Sequence, residues 1–386
     1  MKKLFFCTLL MGFVACQPST NNTNQATTPP VAKLRQTPAA NTQAPNSTPA
    51  SAAAAPLNYQ QMGNTYKHLS GTIGGKQVQI DLLITPKGIM GSYYDTDKNY
   101  YHLEGDTLQW IAAAASAAGT NTIKAQIQNA RFINPQTLTG SFVPINKGVK
   151  FSAVAFSLAE SYDKSVPIQL MQTQQTIGNC ASNTDQACCS INLLYPHIAT
   201  NNPNILAANQ QIEQTIADFA NTGSTTINQA AKAITTKYAA TKNKGRWEIS
   251  VLPSVLYNYN GLLSLKLAQT RITQNDARPI SPIKYLNFDT QTGKTLLLAD
   301  LFKPAYEASL RKLIQQKILA DAGEEMRAAL GNNMRLPKNF YLTPQGLTIL
   351  YNPGDILPPQ AGDFSATLSF TELKAILKNA NLGSTF

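Results

Sequence analysis

Few residues of this chain could carry acid–base or nucleophilic chemistry. Its 386 residues include three histidines, His68, His102 and His197, and five cysteines. No H-E-x-x-H pair, G-x-S-x-G elbow or phosphate-cradling P-loop is present. Cys180 has His197 downstream, the pairing a thiol nucleophile needs, but a disulfide competes for Cys180. Cys180, Cys188 and Cys189 match no zinc spacing with His197. Asp276 and Arg278 form a candidate polar pair in a loop, and Glu324 and Glu325 read as solvated charges near a helix end. The expectation is a chain without catalytic residues, metal or cofactor.

The N-terminus decides where the chain works. Lys2 and Lys3 precede an uncharged apolar run from Leu4 to Val14. That run is shorter than the roughly 20 residues a spanning helix needs and suits the h-region of a secretory signal. Phe13-Val14-Ala15-Cys16 follows, then polar residues. The stretch resembles the lipobox of bacterial lipoproteins, with Phe13 where leucine is usual. The resemblance implies cleavage before Cys16 and acylation of that cysteine, hence a membrane partner. Gln17 carries no aspartate-type retention signal, so the outer membrane is expected in a Gram-negative cell. Outside the cytoplasm disulfides persist. Cys180 is then expected to pair with Cys188 or Cys189 across a small loop, leaving one thiol over.

Composition sets the organisation. Residues 17–56 are rich in Asn, Thr, Ala, Pro and Gln and nearly free of bulky apolar side chains, so no core offsets their ordering entropy. They read as a tether. The expected plan is a signal at 1–15, lipidated cysteine and tether at 16–57, a β-rich domain at 58–160 and an α+β domain at 161–386. The net charge of +11 draws an exported chain towards anionic surfaces. No nucleic-acid motif is present, and none is expected as partner.

The elements follow from periodicity. Alternating or apolar segments at 76–84, 89–94, 99–103, 107–111, 122–128, 138–143 and 149–158, with turn residues between them, predict an antiparallel meander closing into a small barrel or sandwich. Ile89-Met90-Gly91-Ser92-Tyr93 and Leu138-Thr139-Gly140-Ser141-Phe142 repeat one pattern: apolar, variable, Gly, Ser, aromatic. Further on, the 3.6-residue spacing of Ile205, Ala208, Ile212, Ile216 and Phe219 predicts a helix. Residues 224–238 predict a second, with Ser224 as N-cap. Strands at 246–259 and 261–272 meet at Asn260-Gly261, a hairpin signal. Strands at 282–289 and 294–298 are expected around Thr292-Gly293, and strands at 339–342 and 346–351 around Thr343-Pro344-Gln345. A helix is expected from Pro304 with its stripe at Tyr306, Leu310, Leu313, Ile314 and Ile318, then a strand at 364–370 and a short helix at 371–377. The class is α+β: a β meander, then a mixed domain of antiparallel hairpins and packed helices.

A family pattern lies in the second half. Leu286-Asn287-Phe288-Asp289, Thr292-Gly293-Lys294 and Leu298-Ala299-Asp300-Leu301-Phe302 form one module. Asn339-Phe340-Tyr341-Leu342-Thr343, Gly346-Leu347, Tyr351 and Asp355-Ile356-Leu357-Pro358 continue it. Order and spacing over roughly 165–380 resemble an uncharacterised domain family. It recurs in the extracellular part of the anti-sigma-V lysozyme receptor, beside polysaccharide deacetylase domains and in stand-alone envelope lipoproteins. Arg278 stands where that family has histidine, and Gly354-Asp355 departs from its usual tyrosine-glutamate. The resemblance implies a non-enzymatic, lipid-anchored envelope protein that binds lysozyme-like enzymes or wall glycan, with Asp276, Arg278 and Asp355 as candidate ligand contacts. Lysozyme is itself basic, so a local acidic patch would have to serve it. The competing reading is a structural lipoprotein that docks other envelope proteins.

Overall fold

Alternation of apolar and polar residues builds the first sheet in the computed structural model. The structure describes residues 62–379, apart from 87, 106–108, 115–121, 181–186, 243–244, 274–278, 323–333, 357–358 and 360–361. The signal, Cys16, the tether, Asp276 and Arg278 lie outside the described residues. By its contacts the chain divides after Ala52, and every described residue belongs to the unit 53–386.

Nine strands come first: β1 (Thr65–Ile73), β2 (Lys76–Thr85), β3 (Gly88–Asp95), β4 (Tyr100–Gly105), β5 (Gln109–Ala114), β6 (Thr122–Asn134), β7 (Thr137–Asn146), the two-residue β8 (Val149–Lys150) and β9 (Val154–Glu160). From β1 to β8, neighbours pair antiparallel in chain order. β9 pairs with both β7 and β1, which joins the two ends of the meander into a barrel. Val78, Ile80, Leu82 and Ile84 of β2 face a core shared with Leu69, Leu103, Ile127, Leu138 and Leu158. The alternate residues Gln79, Asp81, Leu83 and Thr85 are buried too. A strand buried on both faces reads as a continuous run, because the barrel fills one face and the second half of the chain covers the other.

The repeated pattern falls on β3 and β7. Its aromatics, Tyr93 and Phe142, stack inside the barrel at 5.4 Å. A Cβ on Gly140 would press into the Phe156 ring at 2.8 Å, so this glycine makes room for an aromatic neighbour.

The second sheet contains β10 (Ile168–Ile177), β11 (Cys188–Ile198), β12 (Arg246–Tyr259), β13 (Leu262–Ile272) and β14 (Ile283–Asp289) in that order. Only β11 and β12 run parallel; α1 (Ile205–Phe219) and α2 (Ile227–Ala240) make the crossover between them. Ile205, Ala208, Ile212 and Ile216 of α1 join Ile227, Ala231, Ile234 and Tyr238 of α2 over Ile191, Trp247, Ile249 and Leu265 of the sheet. The N-cap of α2 is Thr226 and not Ser224: Thr226 is extended, and its hydroxyl accepts from the Gln229 amide at 3.3 Å. Ser224 instead accepts from Thr222. Asn260 and Gly261 both have positive φ, 51° and 83°, the backbone of a type I′ hairpin.

Last come α3 (Leu298–Leu301), α4 (Glu307–Ala322), the antiparallel sheet of β15 (Phe340–Thr343), β16 (Gly346–Tyr351) and β17 (Phe364–Leu368), and α5 (Phe370–Leu373). Leu310, Ile314 and Ile318 of α4 pack with Leu347, Ile349, Ala366 and Leu368. Two expectations shift. Pro304 precedes the helix instead of opening it, because Ala305 takes φ of 62° and breaks the turn before Glu307. Residues 294–298 form no strand; Thr295 makes a single bridge to Phe288 before α3 begins.

The disulfide joins Cys180 to Cys188, and Cys189 is a buried free thiol. Burial pushes the Cys189 thiol up to about 11, so it stays protonated and unreactive. By loop-closure entropy the bridge stabilises the fold by about 2–3 kcal/mol. Cys180→Ser should lower stability by that amount in urea titrations; an unchanged midpoint would show that the bridge is dispensable.

Candidate functional site

Two polar assemblies lie where the barrel meets the rest of the chain. One is sealed and the other is open.

The sealed one is centred on Asp81. The β1–β2 hairpin turns at Gly74 and Gly75, with φ of 59° and 80°, and this register sets His68 directly opposite Asp81. Both are buried, at 1% and 0% exposure. His68 Nδ1 lies 2.7 Å from Asp81 Oδ1. The Tyr66 hydroxyl donates to Oδ1 at 2.5 Å and the Tyr94 hydroxyl to Oδ2 at 3.0 Å. Asn258 of β12 donates to the Tyr66 oxygen at 2.8 Å and clasps Val166 through both its amide groups. Burial first, and the neighbouring carboxylate second, hold Tyr66 and Tyr94 well above the usual phenol range, so both remain donors. No solvent reaches this cluster, and its chemistry is that of a tie between barrel and second sheet.

The open assembly is a cleft of about 600 Å³ where the three sheets converge. The outer face of the barrel contributes Met90, His102 and Glu104; Met90 and Glu104 are cross-strand partners. The second sheet contributes Ser254 and the cross-strand pair Lys266 and Tyr285. The third contributes Tyr341, the paired Thr348 and Thr367, Asp363 and Ser365. Tyr285 and Tyr341 lie 4.7 Å apart, and the two threonine hydroxyls 2.9 Å apart. Burial lowers the Lys266 ammonium from its ordinary value, and the carboxylates of Asp363 and Glu104 partly restore it. Burial, then the Lys266 charge, lowers His102 to about 4. At neutral pH the cleft therefore offers a neutral imidazole, one ammonium, two carboxylates, aromatic rings and hydroxyls. Perturbed groups converging in a concavity are the usual mark of a binding site.

His102 has a consequence for stability. Between its ordinary value of 6.5 and about 4, the unfolded chain binds a proton that the folded chain does not. Its contribution is full above the upper value and is lost as pH falls through that window. For a half-buried ring this is on the order of 2 kcal/mol. Chemical denaturation across the window should show a shallower pH dependence for His102→Asn than for wild type; equal slopes would overturn the assignment.

The sequence candidates fall elsewhere. The Asp355 carboxylate accepts from the Asn352 amide at 2.7 Å and so shapes a turn. The motif asparagines bind backbone. Asn339 accepts from the Tyr285 amide at 2.7 Å and donates to the Ile283 carbonyl at 2.8 Å, while Asn287 donates to the Phe340 carbonyl at 2.7 Å. Asn352 likewise accepts from the Ile283 amide at 2.8 Å. Together they stitch β14 to the third sheet. Among the described residues, no group of three His, Cys, Asp or Glu side chains converges as a metal site would need. Nor is any described helix long and apolar enough to cross a membrane.

This third sheet, with the helices around it, is the part of the chain that a family model matches. Residues 299–371 match the family described as "Protein of unknown function (DUF3298)". The matched segment runs from α3 into α5 and supplies Tyr341, Thr348, Asp363 and Thr367 of the cleft. A solved DUF3298 family member from Bacteroides fragilis NCTC 9343 is similar, with 19% identity, a TM-score of 0.47, and 57% of this chain and 97% of its own covered. Another from Pseudomonas aeruginosa PAO1 has 16% identity, a TM-score of 0.46, and 56% and 97% covered. No curated protein matches the chain.

Lys266, His102, Glu104 and the Asp81 cluster were not singled out by motif. The hairpin through Gly74-Gly75 did carry a signal, since a two-residue turn there places position 68 opposite 81.

Proposed function

We propose that this chain is a non-enzymatic binding protein of the cell envelope, anchored by lipid on Cys16, and that it holds its ligand in the cleft between the three sheets. The cleft carries this reading: its volume of about 600 Å³ lies within the ~300–1,000 Å³ of small-ligand sites. Its polar groups are arranged for hydrogen bonding, and among the described residues lining it no nucleophile is paired with a base. The lipobox-like Phe13-Val14-Ala15-Cys16 supports the anchor, and an outer-membrane position follows in a Gram-negative cell. Wall glycan suits a cleft of this size better than a whole wall-directed enzyme does. Lysozyme would need more surface, and the chain's charge of +11 does not attract it.

The docking reading has one observation in its favour. Val149 and Phe151 stand 63% and 55% exposed beside β8, an apolar tip on the barrel.

Two measurements test the reading. The mature protein should bind purified wall sacculi saturably, and lysozyme serves as the competing ligand. Retention by neither would end the binding reading in favour of docking. Cells fed labelled palmitate should label the wild-type chain and not Cys16→Ser; equal labelling would remove the anchor from Cys16.

A further inference from the structure

We infer that the cleft takes an uncharged, hydroxyl-rich sugar and turns away acidic ones. The inference rests on the cleft being the binding site and concerns what it selects. Lys266 already has the carboxylates of Glu104 and Asp363 within electrostatic reach. A ligand carboxylate would approach one ammonium and meet two like charges. A ligand ammonium would meet Lys266. A sugar hydroxyl both donates and accepts, so it can satisfy the acceptor-only carboxylates and the donor-only ammonium in turn.

The other walls suit the same ligand. Half-buried Tyr285, backed at 4.7 Å by the buried ring of Tyr341, supplies aromatic surface for the C–H face of a pyranose. The hydroxyls of Thr348 and Thr367 face one another at 2.9 Å on the neighbouring wall. Ser254 donates to the Met90 sulfur, at 3.4 Å, a weak partner that a sugar oxygen would replace with gain. His102 stays neutral and adds no charge of its own at pH 7. The local preference thus opposes the bulk charge of +11, which by itself would favour anionic polymers.

The test is calorimetry on the full chain in detergent at pH 7, with the neutral N-acetylglucosamine trimer and the acidic galacturonate trimer as probes. The neutral trimer should bind saturably and the acidic one should not. Lys266→Met and Tyr285→Ala should each weaken the neutral trimer about tenfold or more, the loss of one good polar or stacking contact. Should either variant fold poorly, the exposed rim provides the second arm: Glu104→Lys with Asp363→Lys should admit the acidic trimer. Equal binding of both trimers by wild type would overturn the inference, as would full affinity in the cleft variants. No sugar binding with sacculus or lysozyme binding retained would overturn it and leave the envelope-binding reading standing. Loss of all three would overturn both.

Discussion

Asp81→Ala is expected to destabilise the fold by about 3–5 kcal/mol, the cost of breaking a buried, fully engaged polar cluster from one side. The carboxylate is completely buried and accepts from Tyr66 and Tyr94, with His68 at 2.7 Å. Truncation leaves His68 and the Tyr66 proton without their acceptor in a site that water does not reach. Tyr94 suffers less, because the Asn258 carbonyl is 3.3 Å from its hydroxyl. Asp81→Asn keeps one acceptor oxygen and the volume, and should cost about 1–2 kcal/mol. Denaturant titration followed by circular dichroism measures both. The cluster joins β1, β2 and β3 to Asn258 of β12, so the barrel and the second sheet should lose stability together. A cost below about 0.5 kcal/mol for the alanine variant, the range of ordinary surface changes, would remove the cluster from any role in holding the fold.

The second large effect is at Gly293. Its φ of 68° already disfavours a side chain, and an added Cβ would overlap the carbonyl oxygen of Asn204 at the start of α1. The turn cannot simply retreat. The Gly293 amide donates to Asp289 at 2.8 Å, and Asn202 donates to the Gln291 carbonyl at 3.0 Å. Gly293→Ala is therefore expected to cost about 2–5 kcal/mol, the left-handed strain plus an overpacking term. Gly148 is the control. It has φ of 81° and nothing within 4 Å of its missing Cβ, so its alanine variant carries the conformational part alone, about 1 kcal/mol. Thermal melts that moved equally for both variants would show that the contact with Asn204 adds nothing.

Both sites bear on how much was readable beforehand. Gly293 was legible as a turn glycine in the Thr292-Gly293-Lys294 module, but its contact with Asn204 bridges 89 residues of chain and leaves no local trace. The same holds for the motif asparagines. Asn287 and Asn339 stood out by pattern, and their partners, the backbone of Phe340, Tyr285 and Ile283, come from another sheet. Residues 294–298 looked like a strand because apolar residues follow a turn. Tertiary packing leaves only a single bridge from Thr295 to Phe288 and starts α3 at Leu298, where Asp300 accepts from the Leu297 amide.

Apart from β1 and its Gly74-Gly75 turn, which were not read from the sequence, neighbouring residues alone set the local elements: the strands of the meander, the apolar stripes of α1 and α2, the hairpin at Asn260-Gly261, and the α+β class. Each of these depends on periodicity or on a backbone angle that few residues tolerate, and both are properties of neighbours in the chain. Tertiary structure alone decided that β9 returns to β1, that Asn258 reaches Tyr66, and that His102, Lys266 and Asp363 share one cleft. Period two says which residues of a strand face the same way. It does not say what they will face, and a binding cleft is made of that second fact.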